Sequence, residues 1–167
     1  MAQGLAHDGC PIVAVDNAAA MLQEAREYTR NSRHPIDFRH ADIRDVELHK
    51  ASVVVLNFTL QFLPPAERLR LLRRIREALV PGGVLILSEK IAGETPEADA
   101  VLVEMHHGFK RTQGYSDLEI SQKRTAQERV LLPETLATHR HRLEAAGFAR
   151  NDPWFQCFNF VSLVARA

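Results

Sequence analysis

The stretch "VAVDNAAAM", residues 13–21, joins a short strand pattern to a helix pattern through an acidic residue. Val13 and Val15 are β-branched and alternate with small residues, as in a buried strand. Asp16 and Asn17 end this run, and the alanines that follow begin a helix pattern. The stretch therefore predicts a strand whose carboxyl end carries a carboxylate directly before a helix.

Strand and helix patterns alternate along the rest of the chain. "ASVVVLNF" (51–58) is a β-branched run of the kind found in strands covered on both faces. "LPPAERLRLLRRIREALVPGG" (63–83) is the clearest helix, with prolines at its start and Pro-Gly-Gly at its end. The predicted strands lie at 12–15, 36–40, 51–57, 84–89 and twice within 154–167, and the predicted helices lie at 18–29, 64–80, 95–109, 116–130 and 133–147.

This order predicts an α/β fold, with a mostly parallel sheet covered by helices on both faces. Because the chain has 167 residues and no linker-like segment, we predict a single domain over 1–167. A helical insertion interrupts the alternation at about 94–130.

The composition excludes some classes of protein. Lys plus Arg and Asp plus Glu each number 21, so the net charge is zero, which argues against a stand-alone nucleic-acid binder. We see no signal-peptide pattern and no apolar run of membrane-spanning length, and we expect a soluble cytoplasmic protein. Cys10 and Cys157 match no zinc or redox spacing, and we expect two buried thiols.

Polar residues stand where three predicted strands end. They are Asp16-Asn17, Asp42 and Asn57. Parallel sheets bind ligands beyond the carboxyl ends of their strands, and an acidic residue there can accept from both ribose hydroxyls of a nucleotide. Each residue also has a local alternative, a helix cap for Asp16, a turn for Asp42 and a capping group for Asn57. The coincidence at three ends favours a nucleotide site.

The glycine-rich loop that a nucleotide-binding half-fold needs is not found before Asp16. Neither Gly4 nor Gly9 follows a strand pattern. Two alternatives stay open, that the chain binds no nucleotide or that it lacks the first strand of the fold.

Several long stretches resemble one known family. They are "VDNAAAM", "ADIRD", "VVLNFTLQFL", "PGGVLILSEK", "MHHGFKRTQGYSDLEISQKR" and "WFQCFNF". They resemble the carboxy-S-adenosyl-L-methionine synthases, a branch of the class I methyltransferase-like superfamily with a Rossmann-like fold. In that family, a first strand, its glycine-rich loop and a ligand-contacting tyrosine precede the matching part. The resemblance therefore implies an N-terminally truncated member, for which we expect weak or absent ligand binding and low stability.

The resemblance also implies a reaction. The family converts S-adenosylmethionine (SAM) and prephenate to carboxy-S-adenosylmethionine (carboxy-SAM) and phenylpyruvate. Deprotonation of the SAM methyl group gives an ylide that traps the carbon dioxide released from prephenate. A tRNA carboxymethyltransferase then uses the product to build 5-oxyacetyl uridine at the wobble position. The expected partners are thus prephenate, SAM and a second copy in a homodimer, with no metal, membrane or direct nucleic-acid contact.

The resemblance assigns site residues as well. Asp16 and Asn17 would meet the ribose, Asp42 and Ile43 the adenine, and Asn57 the methionine part or the sulfonium. Arg124 would grip the added carboxylate through two parallel hydrogen bonds and is the expected catalytic residue. Without the family match, Arg124 would be taken for a solvated helix charge.

Other residues are more weakly indicated. Tyr115, His106 and His107 lie in the helical insertion, near the expected pocket or simply packed on helices. His139 and His141 are two apart on a helix and make a poor metal pair. Trp154, Phe155 and Phe158 are expected in the core or at a dimer interface. An ordinary SAM-dependent methyltransferase and a degenerate, non-binding domain remain the alternative functions.

Overall fold

The computed structural model describes residues 10–32, 34–128 and 131–167, with side chains for all of these except 123–128. The chain divides into two compact units, Met1–Glu47 and Leu48–Ala167. The single domain expected from the sequence stays a prediction.

The first unit contains two parallel strands and the helix that connects them. Strand β1 (Ile12–Asp16) pairs with β2 (Ile36–His40) in register from Ile12–Ile36 to Asp16–His40. Helix α1 (Ala19–Thr29) joins them and buries Leu22. Because the two strands are parallel, the residues that follow both of them lie at one edge of the sheet.

The second unit contains a mixed sheet with the strand order β3-β4-β7-β6. Strand β4 runs parallel to β3 and to the short β5, whereas β7 is antiparallel to both β4 and β6. Its elements in chain order are β3 (Ala51–Asn57), a 3-10 turn (Leu60–Phe62), α2 (Pro65–Ala78), β4 (Leu79–Ala92), α3 (Pro96–Thr112), α4 (Asp117–Glu128), β5 (Glu134–Thr135), α5 (Leu136–Ala145), β6 (Arg150–Cys157) and β7 (Phe160–Arg166).

The α/β fold class is confirmed, and the two late strands form an antiparallel hairpin at the end of the chain. The core lies where α2 packs on β4. Helix α2 buries Leu71, Leu72 and Ile75, which form the apolar stripe of the helix pattern. The alternating residues Leu85 and Leu87 of β4 are fully buried as well.

Local sequence signals placed the helices of the insertion correctly. Thr95 caps α3, since its hydroxyl accepts from the Ala98 N–H at 3.2 Å. Ser116 and Glu119 form a reciprocal capping box before α4, with the Ser116 N–H donating to Glu119 Oε2 at 2.8 Å. Gly93 fits between β4 and α3 because a Cβ there would lie 2.2 Å from the Asp99 backbone nitrogen.

Two expectations are wrong. Strand β4 is longer than the predicted 84–89, because its first residue pairs with Ala51 and its last with Thr135. The two thiols are not buried, since Cys10 is half-buried and Cys157, on the outer strand β6, is exposed. Among the described residues, no helix has the length and apolar character needed to cross a membrane.

Candidate functional site

The predicted site residues fall in both units. In the first unit, Asp16 ends β1 and lies next to the end of β2, because the Ala41 N–H donates to the Asp16 carbonyl oxygen at 3.1 Å. Parallel pairing thus brings Asp16 and the Ala41-Asp42 turn to one sheet edge, as the sequence predicts.

The Asp16 carboxylate is partly used to hold the chain turn after β1. Its Oδ1 accepts from the Ala18 N–H at 2.7 Å. The N-cap position of α1 is occupied by Ala18 and not by Asp16. Asp16 is therefore not the helix cap of the alternative interpretation. No described group donates to Oδ2, and a carboxylate oxygen is the acceptor that a ribose diol needs.

Asn17 and Ile43 flank this edge. The Asn17 side chain is exposed, and the Asn17 backbone carbonyl oxygen lies 3.1 Å from His40 Nε2. Ile43 is half-buried in the turn after β2, where an aliphatic side chain can pack on a purine face.

Arg44 engages both oxygens of the Asp42 carboxylate. Its backbone N–H and Nε donate to Oδ1 at 2.9 Å, and its Nη2 donates to Oδ2 at 2.6 Å. The Arg44 hydrogen bonds lower the pKa of Asp42 to about 2, so the group is a carboxylate at neutral pH. The turn role of Asp42 is confirmed. Because each oxygen can accept two hydrogen bonds, the Asp42 carboxylate can still accept from an exocyclic amine.

In the second unit, Asn57 ends β3 and begins the β3–α2 loop, which we define as residues 57–64. The Asn57 side chain is exposed and makes no hydrogen bond to a described residue. It does not cap a helix, because Thr59 precedes the 3-10 turn. Phe58 follows with a φ of 55°, a left-handed conformation that bulky residues rarely adopt. Its N–H donates to the Ser88 carbonyl oxygen at 2.8 Å.

A buried carboxylate on β4 holds this loop from beneath. Glu89 is fully buried, and its Oε1 and Oε2 accept from the Leu60 N–H at 2.8 Å and the Gln61 N–H at 3.1 Å. Burial raises the pKa of Glu89 to about 7, although the backbone N–H groups and the nearby Arg68 oppose the shift. Gln61, also buried, uses its side-chain oxygen to accept from the Lys90 N–H at 3.1 Å.

Arg68 ties the same loop to the segment before β5. Its guanidinium is fully buried, donates to the carbonyl oxygens of Leu63 and Leu132 at 2.9 Å, and pairs with Glu134. Burial would raise the pKa of Glu134, but its bonds with Arg142 and Arg68 outweigh burial and lower it. The β3–α2 loop is therefore braced on two sides by buried charged groups.

Arg124 belongs to α4, but its side chain lies outside the described residues. Of the other insertion residues, Tyr115 is exposed, whereas His106 and His107 on α3 are half-buried. The described residues contain no cluster of three or more His, Cys, Asp or Glu side chains suited to a metal.

The expectations for the remaining residues have mixed outcomes. His139 is buried, and neither ring nitrogen has a partner among the described residues. Trp154 and Phe155 are exposed, so a core position is wrong for both, and their place at a dimer interface stays a prediction. Phe158 is half-buried at the tip of the β6–β7 hairpin.

Several known proteins are similar to this chain. A family model described as a methyltransferase domain matches residues 1–83. The carboxy-S-adenosyl-L-methionine synthase of Geobacter metallireducens is 57% identical over 99% of this chain, which covers 69% of that protein. The synthase of Marinobacter nauticus is 53% identical over 99% of this chain, which covers 67% of it. The chain belongs to the carboxy-S-adenosyl-L-methionine synthase family.

Solved structures support the fold of this synthase family member. The apo structure of the SAM-dependent methyltransferase SibL superposes with a TM-score of 0.66 at 16% identity, over 99% of this chain and 46% of that one. At this identity, the likeness shows the fold alone. The Rossmann-like methyltransferase fold expected from the resemblance is confirmed.

Sequence reasoning missed the residues that brace the loop. Glu89 is the last residue of the predicted "VLILSE" strand. Its place at the carboxyl end of a strand is the same sequence signal that marked Asp16 as a candidate site residue. Arg68 carried no signal, because it lies among five arginines of one helix and only the fold shows which of them is buried.

Proposed function

We propose that this chain carries the activity of its family, the conversion of SAM and prephenate to carboxy-SAM and phenylpyruvate. The observation that supports the proposal is the 57% identity, over nearly the whole chain, with an enzyme named for the carboxylated product. The carboxylates at the ends of β1 and β2 fit a nucleoside in position and chemistry.

Atoms balance in this reaction when the ring carboxyl group of prephenate moves to the methyl carbon of SAM. The bond from the ring to the carboxyl carbon breaks as the ring hydroxide leaves, which makes the ring aromatic. The methyl group loses a proton, and its electron pair forms the new bond to the carboxyl carbon. Proton and hydroxide together make water.

The proposed roles follow the residue chemistry. Asp16 and Asn17 hold the ribose, Asp42 and Ile43 the adenine, and Asn57 the part near the sulfonium. Asp16 and Asp42 suit hydroxyl and amine donors because ionised carboxylates only accept.

Arg124 is proposed as the residue that holds the new carboxylate, through a paired guanidinium contact that lysine cannot reproduce. This residue separates the proposal from ordinary methyl transfer, in which the methyl carbon leaves SAM.

We further propose that the protein works in the cytoplasm as a homodimer and supplies carboxy-SAM to a tRNA carboxymethyltransferase. The exposed Trp154 and Phe155 on the outer strand β6 support a dimer, because aromatic residues are enriched at such interfaces.

The decisive experiment incubates the purified chain with SAM and prephenate and identifies the sulfonium product by mass spectrometry. In line with the weak binding expected from the sequence, we expect a low yield of carboxy-SAM from the parent chain, none detectable from Arg124→Ala or Arg124→Lys, and parent-like amounts from Arg111→Ala. Arg111 is a suitable control because it is an exposed arginine paired with Glu104 and Asp117. A methylated acceptor would instead support a methyltransferase, and no SAM binding would support a degenerate domain.

A further inference from the structure

An aromatic cluster next to Asn57 is not used by the roles given above. We call it the His106 cluster and define it as Phe58, His106, Phe158, Phe160 and Lys90, all in the second unit. His106 stacks on Phe158 at 5.9 Å between ring centroids and meets Phe160 edge-on at 5.0 Å. Phe58 meets Phe160 edge-on at 5.8 Å. Four rings from the β3–α2 loop, α3 and the β6–β7 hairpin thus converge on one place.

The backbone of this cluster is strained at two points. Phe58 has a φ of 55° and Phe158 a φ of 51°, and they are the only non-glycine residues with positive φ in the described part of the chain. Glycine or asparagine adopts this conformation at lower cost, and such strain in bulky residues concentrates at functional sites. Both strained residues place their rings against His106 or Phe160. Phe158 is the first residue of the two-residue turn between β6 and β7, a position that takes positive φ in a hairpin, whereas no hairpin turn accounts for the φ of Phe58.

The charges around the rings are basic. Lys90 and Phe160 are cross-strand partners on β4 and β7, so their side chains leave the sheet on the same face. No described carboxylate forms an ion pair with Lys90. Burial and the charges of Lys110, Lys90 and His107 together lower the pKa of His106 to about 4, so its ring is neutral at physiological pH. An anion would therefore meet a positive potential beside aromatic faces.

We propose that the His106 cluster is the binding subsite for the carboxylate co-substrate, with Lys90 holding a carboxylate and the rings of Phe58, Phe158 and Phe160 packing on an unsaturated six-membered ring. The inference rests on the proposed function. It deepens that function by assigning prephenate its own residues, separate from Arg124. The cluster adjoins Asn57 directly through Phe58, so the donor would lie beside the residue assigned to the sulfonium region. Phe58 is partly exposed, which leaves the rings accessible to a small ligand.

The test uses phenylpyruvate, the expected product, as a stable probe. The chain is titrated with phenylpyruvate and, separately, with pyruvate, which has the oxo acid but no ring, and binding is followed by NMR chemical-shift changes. Variants are Lys90→Met, which keeps the side-chain stem, and Phe158→Asn, which removes the ring but tolerates positive φ. The matched control is Lys50→Met, because Lys50 is an exposed lysine before β3. Circular dichroism checks that each variant is folded.

We expect phenylpyruvate to bind about tenfold more tightly than pyruvate, and Lys90→Met and Phe158→Asn each to weaken phenylpyruvate binding by about tenfold or more. Lys50→Met should bind like the parent. Lack of phenylpyruvate binding by the parent, or parent-like binding by Lys90→Met, would overturn the subsite. Failure of the proposed function looks different, since phenylpyruvate binding would then depend on Lys90 while no carboxy-SAM forms.

Discussion

Replacement of Glu89 by glutamine tests whether a buried, ionisable group sets the pH dependence of stability. The pKa of Glu89 lies at about 7 in the folded chain against an ordinary value of 4.5. Between these pH values the folded state holds a proton that the unfolded chain has released. The stabilising contribution of this proton to the free energy of unfolding is therefore full below pH 4.5 and is lost as the pH rises to about 7. At about 1.4 kcal/mol per pH unit, this loss amounts to about 3 kcal/mol.

Glutamine stays neutral and shares the shape of the protonated acid. It can accept from only one of the two backbone N–H groups of Leu60 and Gln61, which costs about 1–3 kcal/mol at every pH. The free energy of unfolding of Glu89→Gln, relative to the parent, should therefore rise by about 3 kcal/mol between about pH 4.5 and pH 8.

The assay is urea unfolding followed by circular dichroism at four pH values across this interval. Glu144→Gln is the control, because Glu144 is exposed on α5. A constant difference between Glu89→Gln and the parent would refute the reasoning. It would mean that the two backbone donors keep Glu89 ionised throughout and outweigh its burial.

Three further predictions concern the second unit. Burial holds the pKa of His139 at about 4, below its ordinary 6.5, so its contribution to stability is present above pH 6.5 and is lost as the pH falls. The free energy of unfolding that is lost between pH 7 and pH 4 should be about 3 kcal/mol smaller in His139→Leu than in the parent, measured by urea unfolding at the two pH values. Arg68→Met should cost about 3–5 kcal/mol in the same assay, because it leaves buried acceptors and Glu134 without their donor, and a cost under about 1 kcal/mol would contradict this. Gly93→Ala should lower the free energy of unfolding by about 1–3 kcal/mol, since the new Cβ meets the Asp99 backbone, and an unchanged thermal melt would refute the close approach.

Features encoded by neighbouring residues were predictable from the sequence. The capping box of Ser116 and Glu119 and the threonine-proline start of α3 depend on residues within one turn, so their pattern is visible without a fold. The meeting of Asp16 and Asp42 at one edge followed from the general rule for parallel strands.

Contacts between distant residues were not predictable. Glu89 and Leu60 are 29 positions apart, and nothing in either neighbourhood indicates that one accepts from the other. The left-handed conformations of Phe58 and Phe158 gave no signal, because phenylalanine is not a residue that marks positive φ. Trp154 shows the opposite problem. Its large aromatic side chain suggested burial, but it is exposed on β6, an outer strand with a neighbouring strand on one side only.

The bracing of the β3–α2 loop by Gln61 has a consequence for motion. The Gln61 carbonyl oxygen accepts from the Leu132 N–H at 3.1 Å, while its own N–H and its side chain are tied to β4. Opening at Gln61 would thus have to break bonds to two separate segments together, which makes fluctuation of the loop a cooperative event rather than local fraying. Amide hydrogens of Gln61 and Leu132 would then exchange with solvent at a common rate, set by this one shared opening.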